Sequence, residues 1–181
     1  RNPVFSAACA HARRTGGTLH LMGLVGDGGV HAHQEHAVAL VELAARQGVG
    51  RVALHCLLDG RDTLPTSGLA FTRDLMARTE GKARIASIGG RYHGMDRDQR
   101  WPRIERWYRA AVQGVGPSTT DPLKPTPPLI ELYPVHVTTR KSFGLMTRKL
   151  SVTESQRLTQ FRGTVSRRKQ SAASANWAHV A

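Results

Sequence analysis

Arg, Asp and His gather beside glycine at three places in this chain: Gly26-Asp27-Gly28-Gly29-Val30-His31, Asp59-Gly60-Arg61-Asp62 and Gly89-Gly90-Arg91-Tyr92-His93. Glycine lets a backbone turn sharply and approach a ligand closely, while guanidinium, carboxylate and imidazole supply charge and hydrogen bonds. Loops of this composition suit a small anion, a phosphorylated one above all. His31 closes the first loop ahead of an expected helix, whose N-terminal N–H groups and dipole favour an anion. Arg61 offers a bidentate clamp for phosphate or carboxylate, and Asp62 an acceptor for a substrate hydroxyl. A local ion pair that stabilises the turn is the competing reading of the same two residues. Arg91 and Arg97 frame residues 92–96 and bring two further guanidinium groups.

Other clusters carry less. His31, His33 and His36 spell H-x-H-x-x-H, but the spacing does not set two ligands on one pair of helical turns, and no Cys or acidic residue is paired with them in a metal-ligand spacing. A metal hydrolase built on them is the weaker alternative; His33 and His36 read as ordinary residues of a helix start and surface. Asp96, Asp98, Arg100 and Arg103 read as solvated helix pairs, and Trp101 and Trp107 as core.

The elements that must position the loops follow from apolar periodicity. Asn2 is a suitable N-cap, Pro3 suits a first helical position, and Gly16-Gly17 stops that helix. Apolar runs at Leu19–Val25, Val52–Leu58 and 84–88 read as strands, each leading into one Gly loop. Helices are expected at 34–47, where Ala37, Val38, Val41, Ala44 and Ala45 form a stripe, at 68–79 and at 97–112. The β-α-β-α-β order predicts an α/β domain, a parallel sheet with helices on both faces. Loops leaving the carboxyl ends of parallel strands line one edge, where ligands bind.

Composition bounds the rest. The 181 residues suffice for one domain, and the start at Arg1 suggests a piece of a longer polypeptide. No apolar run is long enough for a membrane span and the first residues lack a signal-peptide core, so a cytoplasmic location is expected. Cys9 and Cys56 read as reduced, buried thiols. The formal charge is +13, yet residues 1–121 hold 16 Lys and Arg against 11 Asp and Glu, whereas residues 122–181 hold 10 against 2. The excess therefore sits in the last third, which is rich in Ser, Thr and Arg and weakly periodic. A poorly ordered basic tail is the expectation there. Without an aromatic stacking pattern the tail does not call for nucleic acid, although an anion-binding module whose tail associates with nucleic acid is the second reading of the chain.

Three long segments then carry a resemblance. Residues 19–33, Leu58-Asp59-Gly60-Arg61-Asp62-Thr63 and residues 89–101 resemble, in order, the hallmark segments of cofactor-independent (2,3-bisphosphoglycerate-independent) phosphoglycerate mutases. The likeness covers residues 2 to about 122. It implies the inserted phosphotransferase domain of a glycolytic isomerase that interconverts 3- and 2-phosphoglycerate through phosphoserine. A second, alkaline-phosphatase-like domain would supply the Ser nucleophile and the ligands of two divalent metals, usually manganese. By motif, His31, Arg61, Asp62, Arg91 and Arg97 are the implied substrate-binding residues. No catalytic residue and no metal ligand of the family falls in this chain.

The chain departs from the pattern in three ways. Gly26 stands where the family commonly has Ser, no segment matches the nucleophile or metal ligands, and the family's later R-x-x-R pair is not identifiable. The expectations are a substrate-binding domain at 1–122, an atypical tail at 123–181 produced by a frameshift near Leu123, and no mutase activity in isolation. The resemblance implies a monomer for the full-length enzyme, with the missing phosphatase-like domain as partner.

Overall fold

The computed structural model describes residues 2–124 and 135–137. Helix α1, Pro3–Thr15, starts where the Asn2 side chain accepts the Val4 N–H at 2.9 Å and stops at Gly16, whose left-handed backbone returns its N–H to the carbonyls of Ala12 and Arg13. Strand β1 (Leu19–Val25), helix α2 (Gln34–Arg46), strand β2 (Val52–Leu58), helix α3 (Gly68–Arg78) and strand β3 (Arg84–Gly90) follow. The short helix α4 (Arg91–Gly94) leaves β3 directly; α5 (Trp101–Tyr108) continues into a π-helical turn at Arg109–Gln113. Strands β4 (Ser118–Thr119) and β5 (Val135–Val137) complete a sheet in the order β1-β2-β3-β5-β4. β1, β2 and β3 are parallel, while β5 runs antiparallel to β3 and parallel to β4.

The expected α/β architecture is present, with helices on both faces. Side chains alternate along β2, so Val52, Leu54, Cys56 and Leu58 meet Cys9 and Ala12 of α1, Val41 and Ala44 of α2 and Leu75 of α3 in one buried cluster. Leu57 points the other way and packs with Leu24 and Trp107. Both crossover helices lie on one side because the chain moves in one direction across β1, β2 and β3. All seven residues of β2 are buried, as a central parallel strand covered on both faces requires.

Two expectations about the fourth helix need correction. It begins at Trp101 rather than 97, because the Asp96 carboxylate accepts the Arg100 N–H at 2.8 Å and Gln99 takes a left-handed backbone before Pro102. Trp101 is consequently 67% exposed while Trp107 is core. Six residues along a helix turn a side chain about 120° away from its starting face, so the two indoles cannot share one environment. Asp96, read as solvated, has a side chain only 3% exposed and accepts from Arg103 at 3.2 Å; only the Arg100–Asp98 pair, at 3.2 Å, is solvent-facing on both sides.

Of the segment expected as a basic tail, residues 123–124 and β5 are described, and Val137 is buried in the main cluster. The remainder lies outside the described residues. No helix among the described residues is long and apolar enough to cross a membrane.

Candidate anion-binding site

Two Gly loops leave the carboxyl ends of β1 and β2, whereas the third, expected after a strand at 84–88, is instead the end of β3 and the start of α4; the parallel register brings all three segments to one edge. Loop 1 returns to α2 through the Gln34 N–H, which donates to the Gly26 carbonyl at 2.8 Å. It lies so close to loop 2 that a Cβ on Gly28 would sit 2.9 Å from the Asp62 carbonyl oxygen. Only glycine permits that approach.

Loop 2 is shaped by Asp59. Its Oδ1 accepts the N–H groups of Arg61 and Asp62 at 3.1 and 3.0 Å, a turn of the kind in which Asp mimics a backbone carbonyl. Arg91, at the end of β3, crosses to the same loop. Its Nη1 lies 2.7 Å from Asp59 Oδ1 and 2.7 Å from Asp62 Oδ2. The Arg91 side chain is 13% exposed and that of Asp59 6%, so this three-membered ion cluster is largely removed from water. His31 Nε2 stands 3.9 Å from Asp62 Oδ2 and keeps an exposed ring.

Burial alone would raise the Asp59 carboxyl. The N–H groups of Asp62 and Arg61 and the Arg91 guanidinium outweigh it, so Asp59 is held below the ordinary Asp range. Burial works against the charge of Arg91 too, and the two carboxylates more than restore it.

The fold thus gathers His31, Asp62 and Arg91, three of the five residues singled out from sequence. Arg61, next to Asp62, and Arg97, on the segment between α4 and α5, stand exposed, each guanidinium without an ion-pair partner among the described residues. Their charge is therefore not spent within the described structure, whereas that of Arg91 is. Tyr92 is anchored by Arg103, whose guanidinium carbon lies 3.8 Å from its ring centre, and Asp96 holds Arg103 in turn. These contacts tie the segment carrying Arg97 to α5.

Sequence reasoning missed Asp59 and Asp96 as structural partners of the site. For Asp59 the signal was present in Asp-Gly-x-Asp, an Asx-turn pattern that predicts side-chain acceptance of nearby N–H groups. It also missed a polar chain across the sheet, where His20 Nδ1 lies 2.9 Å from His55 Nε2 and His55 Nδ1 lies 2.7 Å from Ser87 Oγ. Burial, and then the charge of Arg84, lower the pKa of His20. Ser87 is fully buried, which bars it from acting as a nucleophile on any solute.

The donor set does not fit a divalent metal pair. Among the described residues no group of three or more His, Cys, Asp or Glu could hold a metal ion. Asp59 and Asp62 are both engaged by Arg91. His33 caps α2, accepting the Glu35 N–H at 3.3 Å, and its ring centre lies 6.4 Å from that of His36.

Fold and site together define an α/β domain with an Arg-, Asp- and His-lined edge at the carboxyl ends of its parallel strands. The chain belongs to the 2,3-bisphosphoglycerate-independent phosphoglycerate mutase family: the family model for the N-terminus of the BPG-independent PGAM proteins matches residues 1–128. Among curated relatives, the 2,3-bisphosphoglycerate-independent phosphoglycerate mutase of Thermomicrobium roseum is 51% identical over 126 residues, 68% of this chain and 24% of that protein. The protein of the same name from Chloroflexus aggregans is 52% identical over 122 residues, 66% of this chain and 22% of the relative. A crystal structure of Leishmania mexicana phosphoglycerate mutase at low cobalt concentration is similar with a TM-score of 0.68 and 32% identity, over 75% of this chain and 28% of that one. The chain thus spans about a quarter of the length of the relatives it matches.

Proposed function

We propose that this chain is the substrate-binding part of a phosphoglycerate mutase, an isomerase of glycolysis, and that its site receives 3- or 2-phosphoglycerate. The observation that carries the proposal is the His31–Asp62–Arg91 arrangement at the strand edge, with Arg61, next to Asp62 in the chain, left as an unspent cation. Phosphate and carboxylate are the groups that guanidinium recognises with matched geometry. Asp62, whose Oδ1 has no hydrogen-bond partner among the described residues, accepts a glycerate hydroxyl.

In this reading His31, Arg61, Asp62, Arg91 and Arg97 bind and orient the substrate. Ester cleavage needs a nucleophile, and positioning alone does not supply one. The divalent metals of the full-length enzyme, manganese by the resemblance, and its nucleophile belong to a separate phosphatase-like domain. The protein is cytoplasmic in this account, and the full-length enzyme a monomer. The substrate-binding domain takes the family-like residues 1–122 together with β5, whose Val137 is buried in the main cluster.

The test pairs two measurements on the 181-residue chain. Equilibrium dialysis against 3-phosphoglycerate detects binding, and an assay coupled to consumption of 2-phosphoglycerate detects turnover. Binding without turnover is expected. Turnover by the chain alone, or no binding by a folded sample, contradicts the proposal.

A further inference from the structure

We infer that Asp59 is a positioning residue that sets the geometry of the ligand site from behind it. One carboxylate oxygen, Oδ1, takes the N–H groups of Arg61 and Asp62 at 3.1 and 3.0 Å and the Arg91 Nη1 at 2.7 Å. Loop 2 and the end of β3 therefore share a single anchor. Its side chain is buried, so Asp59 is not itself presented to a solute. Arg91 Nη1 is matched by two carboxylates, so this guanidinium brackets the two segments in addition to serving the ligand. The bracket uses Asp62 Oδ2 and leaves Oδ1 without a partner among the described residues. Asp59 thus acts through Arg61, Asp62 and Arg91: it fixes where the first two begin and where the third ends.

The inference rests on the phosphoglycerate reading for its ligand, and the experiment separates the two. The full chain is compared with Asp59→Asn and Asp59→Ala by dialysis against 3-phosphoglycerate, and by amide and Arg Nε–H NMR without ligand. Asn keeps an oxygen for the two N–H groups and loses the charge facing Arg91; Ala loses both. Removing charge-assisted hydrogen bonds that hold the binding groups weakens binding about tenfold to a hundredfold in Ala and about threefold to tenfold in Asn. Folded Asp59→Ala that binds as the unaltered chain does overturns the inference. Where Asp59→Ala fails to fold, Asp59→Asn decides alone: the smaller loss supports the role and unchanged affinity overturns it. If the unaltered chain binds no phosphoglycerate, the ligand reading fails while the positioning claim is still judged. Acid titration of Asp59 then moves the Arg61 and Asp62 amides and the Arg91 Nε–H with one midpoint that disappears in Asp59→Asn. Independent midpoints overturn the inference.

Discussion

Gly94 ends the short helix that carries Arg91 and leads toward Arg97, and its missing side chain is a packing requirement. A Cβ built there would meet Leu57 Cδ2 at 2.0 Å and the Trp107 ring at 3.3 Å. Carbon atoms rest about 3.5–4.0 Å apart, so Leu57 would have to retreat by roughly 1.5 Å. It has nowhere vacant to go, because Leu57, Trp107 and Leu24 form one buried cluster. Overpacking of this kind costs about 1–3 kcal/mol, against which the helix preference of Ala over Gly returns at most about 1 kcal/mol. With that full return, Gly94→Ala is expected to destabilise the chain by up to about 2 kcal/mol in urea unfolding. Leu57→Ala alone costs about 2–5 kcal/mol but empties the colliding position. In that background Gly94→Ala is expected to be neutral or stabilising. The resulting coupling of at least about 1 kcal/mol lies well beyond the roughly 0.3–0.5 kcal/mol scatter of independent sites. An equal cost of Gly94→Ala in both backgrounds would refute the steric account.

Three further outcomes are expected. Asp59 is held below its unfolded value of 3.8, so its contribution to stability is complete above about pH 4 and is lost as pH falls through the lower folded value; acid unfolding monitored by fluorescence should show a shallower dependence on pH below 4 in Asp59→Asn. Asp96→Ala removes an acceptor that serves both the Arg100 N–H and the Arg103 guanidinium, and a loss of about 1–3 kcal/mol in urea unfolding is expected, with Asp96→Asn closer to the unaltered chain. The Cys56 thiol is pushed up to about 12 by burial, so a thiol reagent at pH 8 should leave it unmodified in the native chain and label it after denaturation, as peptide mass spectrometry would show.

Much of the fold was legible because its determinants are local. Asn2-Pro3 and Gly16 bracket α1, and runs that are apolar but for His20 and Gly23 in β1 and His55 in β2 mark those two strands. The alternation that divides β2 between two clusters was not visible, since a strand buried on both faces is apolar at nearly every position, here all but His55. The start of α5 was misread because a carboxylate four residues upstream of an N–H, together with a left-handed Gln99, overrode helical propensity. Residues of the site were legible by type, through glycine beside charge. Their division of labour was not, since it depends on contacts between loops about 30 positions apart: Arg91 with Asp59 and Asp62. Hydrogen-bond partners across such separations leave no periodic trace in a sequence.

In the phosphoglycerate site proposed for this chain, Arg61 supplies unspent positive charge. Calorimetric titration of 3-phosphoglycerate into the 181-residue chain, beside Arg61→Ala, tests it most directly. Saturable binding to the unaltered chain is expected, and its loss in the variant while the thermal midpoint stays unchanged. Equal binding by both chains, or none by a demonstrably folded sample, would contradict it.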